Sequence, residues 1–368
     1  MVPTTRRDVL LSLLASPLAL NSLRADDADA FTVHEWGTFS TFSGSNGKLL
    51  KFLPNDTDLP NFVHNLRSYV KGGLTDALVS LETPVLYFYS KRDRTVSVQV
   101  DFPQGVMTDW YPEASRPPTS QLRWDNLRIL ATDRPALPGN RDTGRYFAAR
   151  EVDAQTVQTT GNRTQQQEKF IFYRGVGDFP MPLEVQALGQ RKFRIRNTGK
   201  QAMPGHFLIH VANRNLAFRS LGRLAGEAEE RVELPTTPST PEQLEAAVTV
   251  ILVEQGLYEK EARAMVKTWK ADWFAEEGTR VLYLVAEPTT DELLPLKIDP
   301  KPDRQVRVLV GRHDVLTPER EREIDALVKR LHGESNDDAK AADATLKKLG
   351  RYRTAAQKEA EKRMNAGR

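Results

Sequence analysis

The 368-residue chain contains no cysteine. This absence excludes disulfides, iron–sulfur clusters, thiolate metal sites and a thiol nucleophile, so stability must come from an ordinary apolar core. After the first thirty residues, no stretch is long and apolar enough to span a bilayer, and the sequence predicts no integral membrane segment in the mature protein. A Gly-x-Ser-x-Gly elbow and a phosphate-binding loop are also missing from the sequence.

Most of the chain carries no excess of positive or negative charge. The formal net charge is +3, and residues 337–368 alone carry a surplus of four positive charges, with nine basic and five acidic residues. The first thirty residues carry one net negative charge, which leaves residues 31–336 neutral. A neutral body with one basic tail is a poor match for a phosphate backbone, so the sequence predicts no nucleic-acid partner.

The N-terminus predicts export. Arg6 and Arg7 precede an apolar run over residues 9–20, and small residues follow near Ala28 and Ala30. This order is typical of a twin-arginine signal peptide, which we place at residues 1–30. The mature protein is therefore expected in the periplasm or at the cell surface. Because this export route carries folded proteins, it slightly favours a cofactor, for which a divalent metal is the candidate.

Residues 31–234 predict a β-sandwich-like domain. Residues 31–42 alternate, which places Val33 and Glu35 on one side of a strand and His34 and Trp36 on the other. The remaining predictions for this region are two short helices over residues 59–81, a hairpin of strands 84–90 and 95–102, a strand at 122–130, a long irregular segment at 132–167, and short strands over 169–220.

The rest of the chain predicts helices mixed with strands. Thr240, Pro241 and Gln243 form a helix start with a capping box, and a second helix over residues 258–277 carries an apolar face with Trp269 and Trp273. Strands at 280–286 and 305–311 and a third helix from residue 317 complete a helical-hairpin α+β unit at residues 235–333. Residues 334–368 predict a basic helical tail, which we interpret as a solvated helix rather than one helical repeat. The fold class is therefore α+β.

Two patterns carry candidate chemistry. His34-Glu35 is the only adjacent His–Glu pair, and His206 and His210 lie four residues apart on a predicted strand, too far for one ion. A divalent metal could still gather His34 with His206 or His210 across strands. The alternative for each histidine is a satisfied core or surface position.

The second pattern combines aromatic rings with carboxylates on or beside the predicted sandwich. Rings stack on sugar faces and carboxylates accept hydrogen bonds from sugar hydroxyls, so this pattern is compatible with a carbohydrate site or with glycoside hydrolysis. The alternative is that the rings are core anchors and the acids lie at strand ends. The candidate catalytic residues are His34, Glu35, Glu82 and Asp109, and the candidate ligand-binding residues are Trp36, Trp110, Tyr111 and Trp124.

Several segments together resemble a family of exported bacterial proteins. They are Val-His-Glu-Trp-Gly-Thr-Phe at residues 33–39, Glu-Thr-Pro-Val-Leu-Tyr-Phe-Tyr at 82–89, Asp-Trp-Tyr-Pro at 109–112 and Arg-Val-Leu-Tyr-Leu-Val at 280–285. The resemblance covers most of the mature chain. It implies export and that residues 31–38 are a signature of the family. The family carries no assigned activity, so the resemblance implies no catalytic residues.

Two functions follow as predictions. The first is an exported binding or structural module that recognises a carbohydrate or a protein partner. The alternative is a metal-assisted or carboxylate-dependent hydrolase centred on His34 and Glu35. The sequence does not identify the ligand, the metal or the oligomeric state.

Overall fold

The structure is a computed structural model that describes residues 30–54, 58–66, 76–116, 119–132, 135–139, 144–160, 165–333 and 335–366. The predicted signal peptide, apart from its last residue, lies outside the described residues. Within the described part of the chain, no helix is long and apolar enough to cross a membrane.

The strands form three sheets. In chain order they are β1 (Phe31–Ser43), β2 (His64–Asn65), β3 (Val79–Ser90), β4 (Arg94–Asp101), β5 (Gly105–Tyr111), β6 (Gln121–Leu130), β7 (Thr156–Gln158), β8 (Gln167–Glu168), β9 (Ile171–Gly177), β10 (Leu183–Gly189), β11 (Lys192–Asn197), β12 (Met203–Ala212), β13 (Asn215–Leu224), β14 (Glu229–Glu233), β15 (Gly278–Val285), β16 (Leu296–Asp299) and β17 (Arg304–Val315).

The largest sheet has nine strands in the order β13-β12-β15-β17-β1-β3-β9-β5-β2. Its central pair, β1 and β17, runs parallel, and the other pairings recorded in it are antiparallel. A five-stranded sheet (β16-β4-β6-β7-β8) and a three-stranded sheet (β10-β11-β14) cover one of its faces. Because β15 and β17 lie inside the large sheet, the predicted unit at residues 235–333 shares that sheet with residues 31–234.

The helices are α1 (Arg145–Ala148), α2 (Pro241–Glu254), α3 (Glu259–Lys270), α4 (Glu287–Leu293), α5 (Pro318–Leu331), α6 (Asn336–Lys347) and α7 (Arg353–Ala366). A π-helical turn at Ala271–Ala275 continues α3, and a 3₁₀ turn at Gly350–Tyr352 joins α6 to α7. The predicted start of α2 is confirmed, because Thr240 accepts from the Gln243 backbone and Gln243 accepts in return.

Three apolar clusters hold these layers together. The first fills the space between the nine-stranded sheet and the two smaller sheets, and includes Phe31, Val33 and Phe39. The second lies between the other face of the large sheet and α2 and α3, and includes Trp36. The third joins the end of β1, at Phe42, to α5, α6 and α7. The predicted alternation along β1 is therefore confirmed, and so is the α+β class with its sandwich-like core.

Three local predictions are wrong. Strands β3 and β4 follow each other but belong to different sheets, so they form no hairpin. The described part of residues 59–81 contains β2 and the start of β3 in place of helices, while residues 67–75 lie outside the described residues. The C-terminal tail is two helices that bury Leu346 and Ala356 against α5, so it is not a solvated helix. The tail has too few apolar residues to form a continuous apolar face, but α5 packs against those it has and buries them.

Candidate ligand-binding cleft at the ends of the central strands

His34 is fully buried on the helical side of β1. Its Nδ1 donates to Glu261 Oε2 at 2.7 Å, and the Tyr89 hydroxyl donates to Glu261 Oε1 at 2.7 Å. The same Oε2 accepts from the backbone N–H of Tyr258, where it caps α3. Burial, followed by the charge of Glu261, raises the pKa of Tyr89 far above its usual range. His34 therefore fixes α3 to the sheet, and it has no open path to solvent.

Glu35 points to the opposite face of β1, as the two-residue period of a strand requires. Its Oε2 accepts from Arg307 Nε at 2.6 Å, and Oε1 accepts from the Tyr173 hydroxyl. Arg307 also donates to Asp291 at 2.7 Å. Glu35 is fully buried. The adjacent His34–Glu35 pair is therefore split into two separate buried networks.

The structure does not bring the three candidate metal ligands together. His206 and His210 lie on β12, which is separated from β1 by β15 and β17, so about 14 Å of sheet lies between the two strands. His206 pairs with Glu230 and with the carbonyl of Gly222, and His210 Nδ1 lies 2.9 Å from Thr279 Oγ1. Among the residues with described positions, no three His, Asp or Glu side chains are grouped to hold a metal.

The four candidate ligand-binding rings are all core residues. Trp36, Trp110, Tyr111 and Trp124 are at most 3 % exposed. The Trp124 indole donates to the carbonyl of Pro112 at 2.9 Å. None of these rings presents a face on which a sugar could stack.

Glu82 and Asp109 do share a neighbour, although His34 is not with them. Arg174, on the strand between β3 and β5, donates to both carboxylate oxygens of Asp58 at 2.7 and 2.8 Å. Burial alone would lower the pKa of Arg174, but Asp58, Asp109 and Glu82 together raise it above its ordinary value. Of the predicted catalytic residues, only Glu82 lies next to an open cavity, because it pairs with Arg351, which lines that cavity.

That cavity is a cleft of about 730 Å³ at the ends of the central strands. Five segments line it: Phe42 near the end of β1, the end of β12 with the turn into β13, the junction into β15, the end of β17 with the start of α5, and the 3₁₀ turn with the residues just before it. Its polar and charged lining residues include His210, Asn213, Arg214, Glu276, Glu277, Thr279, Asp314, Thr317, Glu319, Arg320, Glu323, Lys348, Arg351 and Tyr352. We refer to this space as the cleft.

Asp314 is the centre of the cleft floor. It accepts from Arg280 Nε at 3.0 Å, from Arg312 Nε at 2.6 Å and from the Tyr352 hydroxyl at 2.9 Å. Burial opposes the ionisation of Asp314, but Arg312 and Arg280 hold its pKa well below its usual range. Asp314 is therefore a permanent anion whose charge is used to hold two buried arginines.

Two further ion pairs complete the floor. Arg351 pairs with Glu82 and donates to the Ser40 hydroxyl at 3.1 Å, and Arg312 pairs with Glu276. With Arg280 and Asp314, these residues make three guanidinium groups and three carboxylates. The network of six groups is electrically neutral. Of the six, Asp314, Glu276 and Arg351 line the cleft, and Arg280, Arg312 and Glu82 lie behind them.

Sequence reasoning missed most of this floor. Neither His313 nor Asp314 was among the candidate site residues, and His313 lies buried between the hydroxyls of Thr41 and Ser43, at 2.8 and 2.9 Å. Burial lowers the pKa of His313 to about 4. The one available signal was the spacing of Arg312 and Asp314, which lie two residues apart at the end of a strand and therefore on the same face of it.

The rim of the cleft differs from the floor because several of its charged side chains have no partner among the described residues. The side chains of Arg214, Glu277 and Lys348 make no hydrogen bond or ion pair with any residue whose position the structure describes. His210 also lines the rim, and burial together with Arg191 and Arg280 lowers its pKa. The rim can therefore donate and accept hydrogen bonds and offers charges of both signs to a ligand.

No family model and no curated protein matches the chain. Among solved structures, the chain is similar to the yeast delta-COP-I mu-homology domain, with a TM-score of 0.31 and 7 % identity over 78 % of this chain and 98 % of that chain. It is equally similar to the same yeast domain complexed with a Dsl1 WxWxV peptide, with a TM-score of 0.32 and 6 % identity over the same shares. TM-scores of this size do not establish a shared fold, so the function is inferred from the residues of the cleft.

Proposed function

We propose that the protein is an exported binding module that takes a peptide segment of a partner protein into the cleft. The observation that carries this proposal is the cleft itself, a space of about 730 Å³ above a neutral network of ion pairs, with charged side chains on its rim that have no partner in the described chain. Small-ligand and peptide sites commonly enclose about 300–1,000 Å³. Export to the periplasm or cell surface is supported by the twin-arginine pattern at residues 5–20.

The lining favours a peptide over a carbohydrate. The two rings at the cleft, Phe42 and Tyr352, stack on each other with centroids 4.5 Å apart, and both are buried. Sugar sites commonly stack the sugar on a free ring face, and these rings offer none. A peptide presents alternating amide donors and acceptors with charged side chains, which match a rim of hydroxyls, amides and charges of both signs.

The geometry gives no support to a hydrolase centred on His34 and Glu35. Both side chains are fully buried, they lie on opposite faces of β1, and each is held in its own network. A general base must lie within hydrogen-bond reach of a substrate proton, which this burial prevents. We therefore assign the pair a structural role that fixes β1 between two layers.

Selection from a random peptide library on the full purified chain tests the proposal. Ala212 lines the cleft at the end of β12, so Ala212→Trp should fill part of it. Ala246 is an exposed residue of α2 away from the cleft, and Ala246→Trp is the matched control. Selected peptides should bind the unmodified chain and the Ala246→Trp variant equally, and bind Ala212→Trp about tenfold or more weakly by calorimetry.

Two results would overturn the proposal. Selected peptides that bind Ala212→Trp as tightly as the unmodified chain would place the binding site elsewhere. Failure to select any peptide, combined with binding on a glycan array, would favour the carbohydrate prediction. In that case residues other than the four buried rings would have to contact the sugar.

A further inference from the structure

The turn between β12 and β13 holds an arginine in a strained conformation. Ala212 pairs with Asn215, so Asn213 and Arg214 form a two-residue hairpin loop. Both have positive φ, at 51° and 63°. Such loops favour asparagine followed by glycine, because the second position is left-handed and a Cβ is unfavourable there. Glycine would suit position 214 better for folding than arginine does.

The strained arginine points its side chain at the cleft. Arg214 lines the cleft and is exposed, and its guanidinium has no partner within the described chain. Lys348, at the end of α6, lines the same space from a different segment and is equally without a partner. Position 214 therefore presents an exposed, unpaired cation to the cleft from a backbone conformation that glycine would adopt at lower cost.

We propose that Arg214 and Lys348 recognise a carboxylate of the bound peptide and thereby set the specificity of the cleft. This inference rests on the proposed function and names the chemistry that the cleft selects. An arginine binds a carboxylate through two parallel N–H···O bonds, and a lysine adds a compact positive charge. Because the floor carries no net charge, it does not neutralise the positive charges of these two residues. Glu277 also lines the cleft, next to Gly278, which pairs with Val211 of β12, and it would disfavour a ligand whose acid lies directly beside it.

The chain provides a matched control for the strain. The turn between β10 and β11 is also a two-residue loop, with Gln190 at φ 50° and Arg191 at φ 62°. Arg191 therefore occupies the same left-handed second position as Arg214, but it does not line the cleft. Arg214→Gly and Arg191→Gly relieve similar backbone strain and each removes one positive charge. Arg191→Gly also removes a long hydrogen bond to the carbonyl of Pro235, at 3.5 Å, and only Arg214→Gly removes a cleft residue.

The test measures stability and peptide binding for both variants in the full chain. Neither variant should lower the Tm, and the two Tm values should agree within about 2 °C, because the relieved strain is similar. The probe is a peptide selected against the unmodified chain. Arg191→Gly should bind it unchanged, whereas Arg214→Gly and Lys348→Met should each bind it about tenfold or more weakly, the expected loss of one charged hydrogen bond.

Modified forms of the same peptide identify the source of the carboxylate. One form carries a C-terminal amide, and the other has every Asp and Glu replaced by Asn and Gln. Loss of affinity in one form, with no additional loss on Arg214→Gly, supports the inference and assigns the group. Equal binding of all forms, or equal binding by Arg214→Gly and Arg191→Gly, overturns it while the proposed function stands. Failure to select any binding peptide on the unmodified chain removes both.

Discussion

Asp314 is the single acid whose loss should most damage the fold. Asp314→Asn keeps the shape of the side chain and removes its charge, which leaves the buried guanidinium groups of Arg280 and Arg312 with one anion fewer. Arg280 retains its hydrogen bonds to the carbonyls of Trp273 and Glu276, so part of the hydrogen-bonding capacity of its guanidinium is still satisfied. Breaking a buried ion pair from one side costs about 3–5 kcal/mol, and we expect a loss of this size.

Thermal and urea unfolding of the full chain provide the assay. Because the unfolding entropy is about 2.1 cal/mol/K per residue, a loss of about 3–5 kcal/mol corresponds to a fall of about 4–7 °C in Tm for a chain of 368 residues. The control is Asp325→Asn, because Asp325 pairs with Arg363 where both side chains are about one-third exposed. A partly exposed pair contributes roughly 0–1 kcal/mol.

The pH dependence checks the cause of the loss. The pKa of Asp314 in the folded state lies below its unfolded value of about 3.9, so its contribution is fully present above about pH 4 and is lost as the pH falls through the folded pKa. The stability gap between the unmodified chain and Asp314→Asn should be constant above about pH 5 and should narrow below about pH 4. A gap below about 1 kcal/mol at pH 7, or one no larger than that of Asp325→Asn, would refute the reasoning.

Two further predictions concern buried positions beside the cleft floor. The pKa of His313 is about 4 in the folded state and about 6.5 unfolded, so only the unfolded state takes up a proton as the pH falls from about 6.5 to 4, and stability should fall over this window. His313→Asn should show a smaller decrease in Tm between pH 6.5 and pH 4.5, and an unchanged decrease would contradict the assignment. Gly311→Ala should lower the Tm by several degrees, because a Cβ there would lie 2.1 Å from the Tyr283 ring. Gly144→Ala, with 3.8 Å to its nearest neighbour, should change the Tm little, and equal effects of the two substitutions would show that Tyr283 moves freely.

Local patterns predicted local structure well. The alternation along residues 31–42 identified β1 and both of its faces, because a strand that separates two packed layers needs a fixed side-chain period. The capping box at Thr240 and Gln243 identified the start of α2, because both hydrogen bonds lie within four residues. These features depend on neighbours in sequence, and the sequence contains all of them.

Features that depend on distant neighbours were not predictable. The alternating strand β4 looks like a partner for β3, yet it pairs with β6 and β16, and no local pattern distinguishes these choices. The buried candidate rings were assigned to a surface site because a single sequence does not show which side of a strand is covered. Helices α6 and α7 look solvated alone, and their burial depends on α5.

The cleft floor shows the same limit most clearly. Its arginines come from β15, β17 and the 3₁₀ turn, and its carboxylates come from β3, β17 and the segment before β15. In the sequence, nothing distinguishes each of these residues from any other charged residue on a strand or turn. Only the order of strands in the large sheet brings them to one end of it. The site residues were therefore present in the sequence, but their grouping was not.

The parallel pairing of β1 with β17 has a consequence for how the chain folds. Thr32 lies opposite Arg304, so two segments about 270 residues apart form the middle of the largest sheet. Contacts of such long sequence separation raise the contact order and slow folding. During synthesis, one edge of β1 stays open until almost the whole chain has emerged, and an open apolar strand edge favours aggregation. C-terminal truncations that remove β17 should therefore yield insoluble chains rather than smaller folded ones.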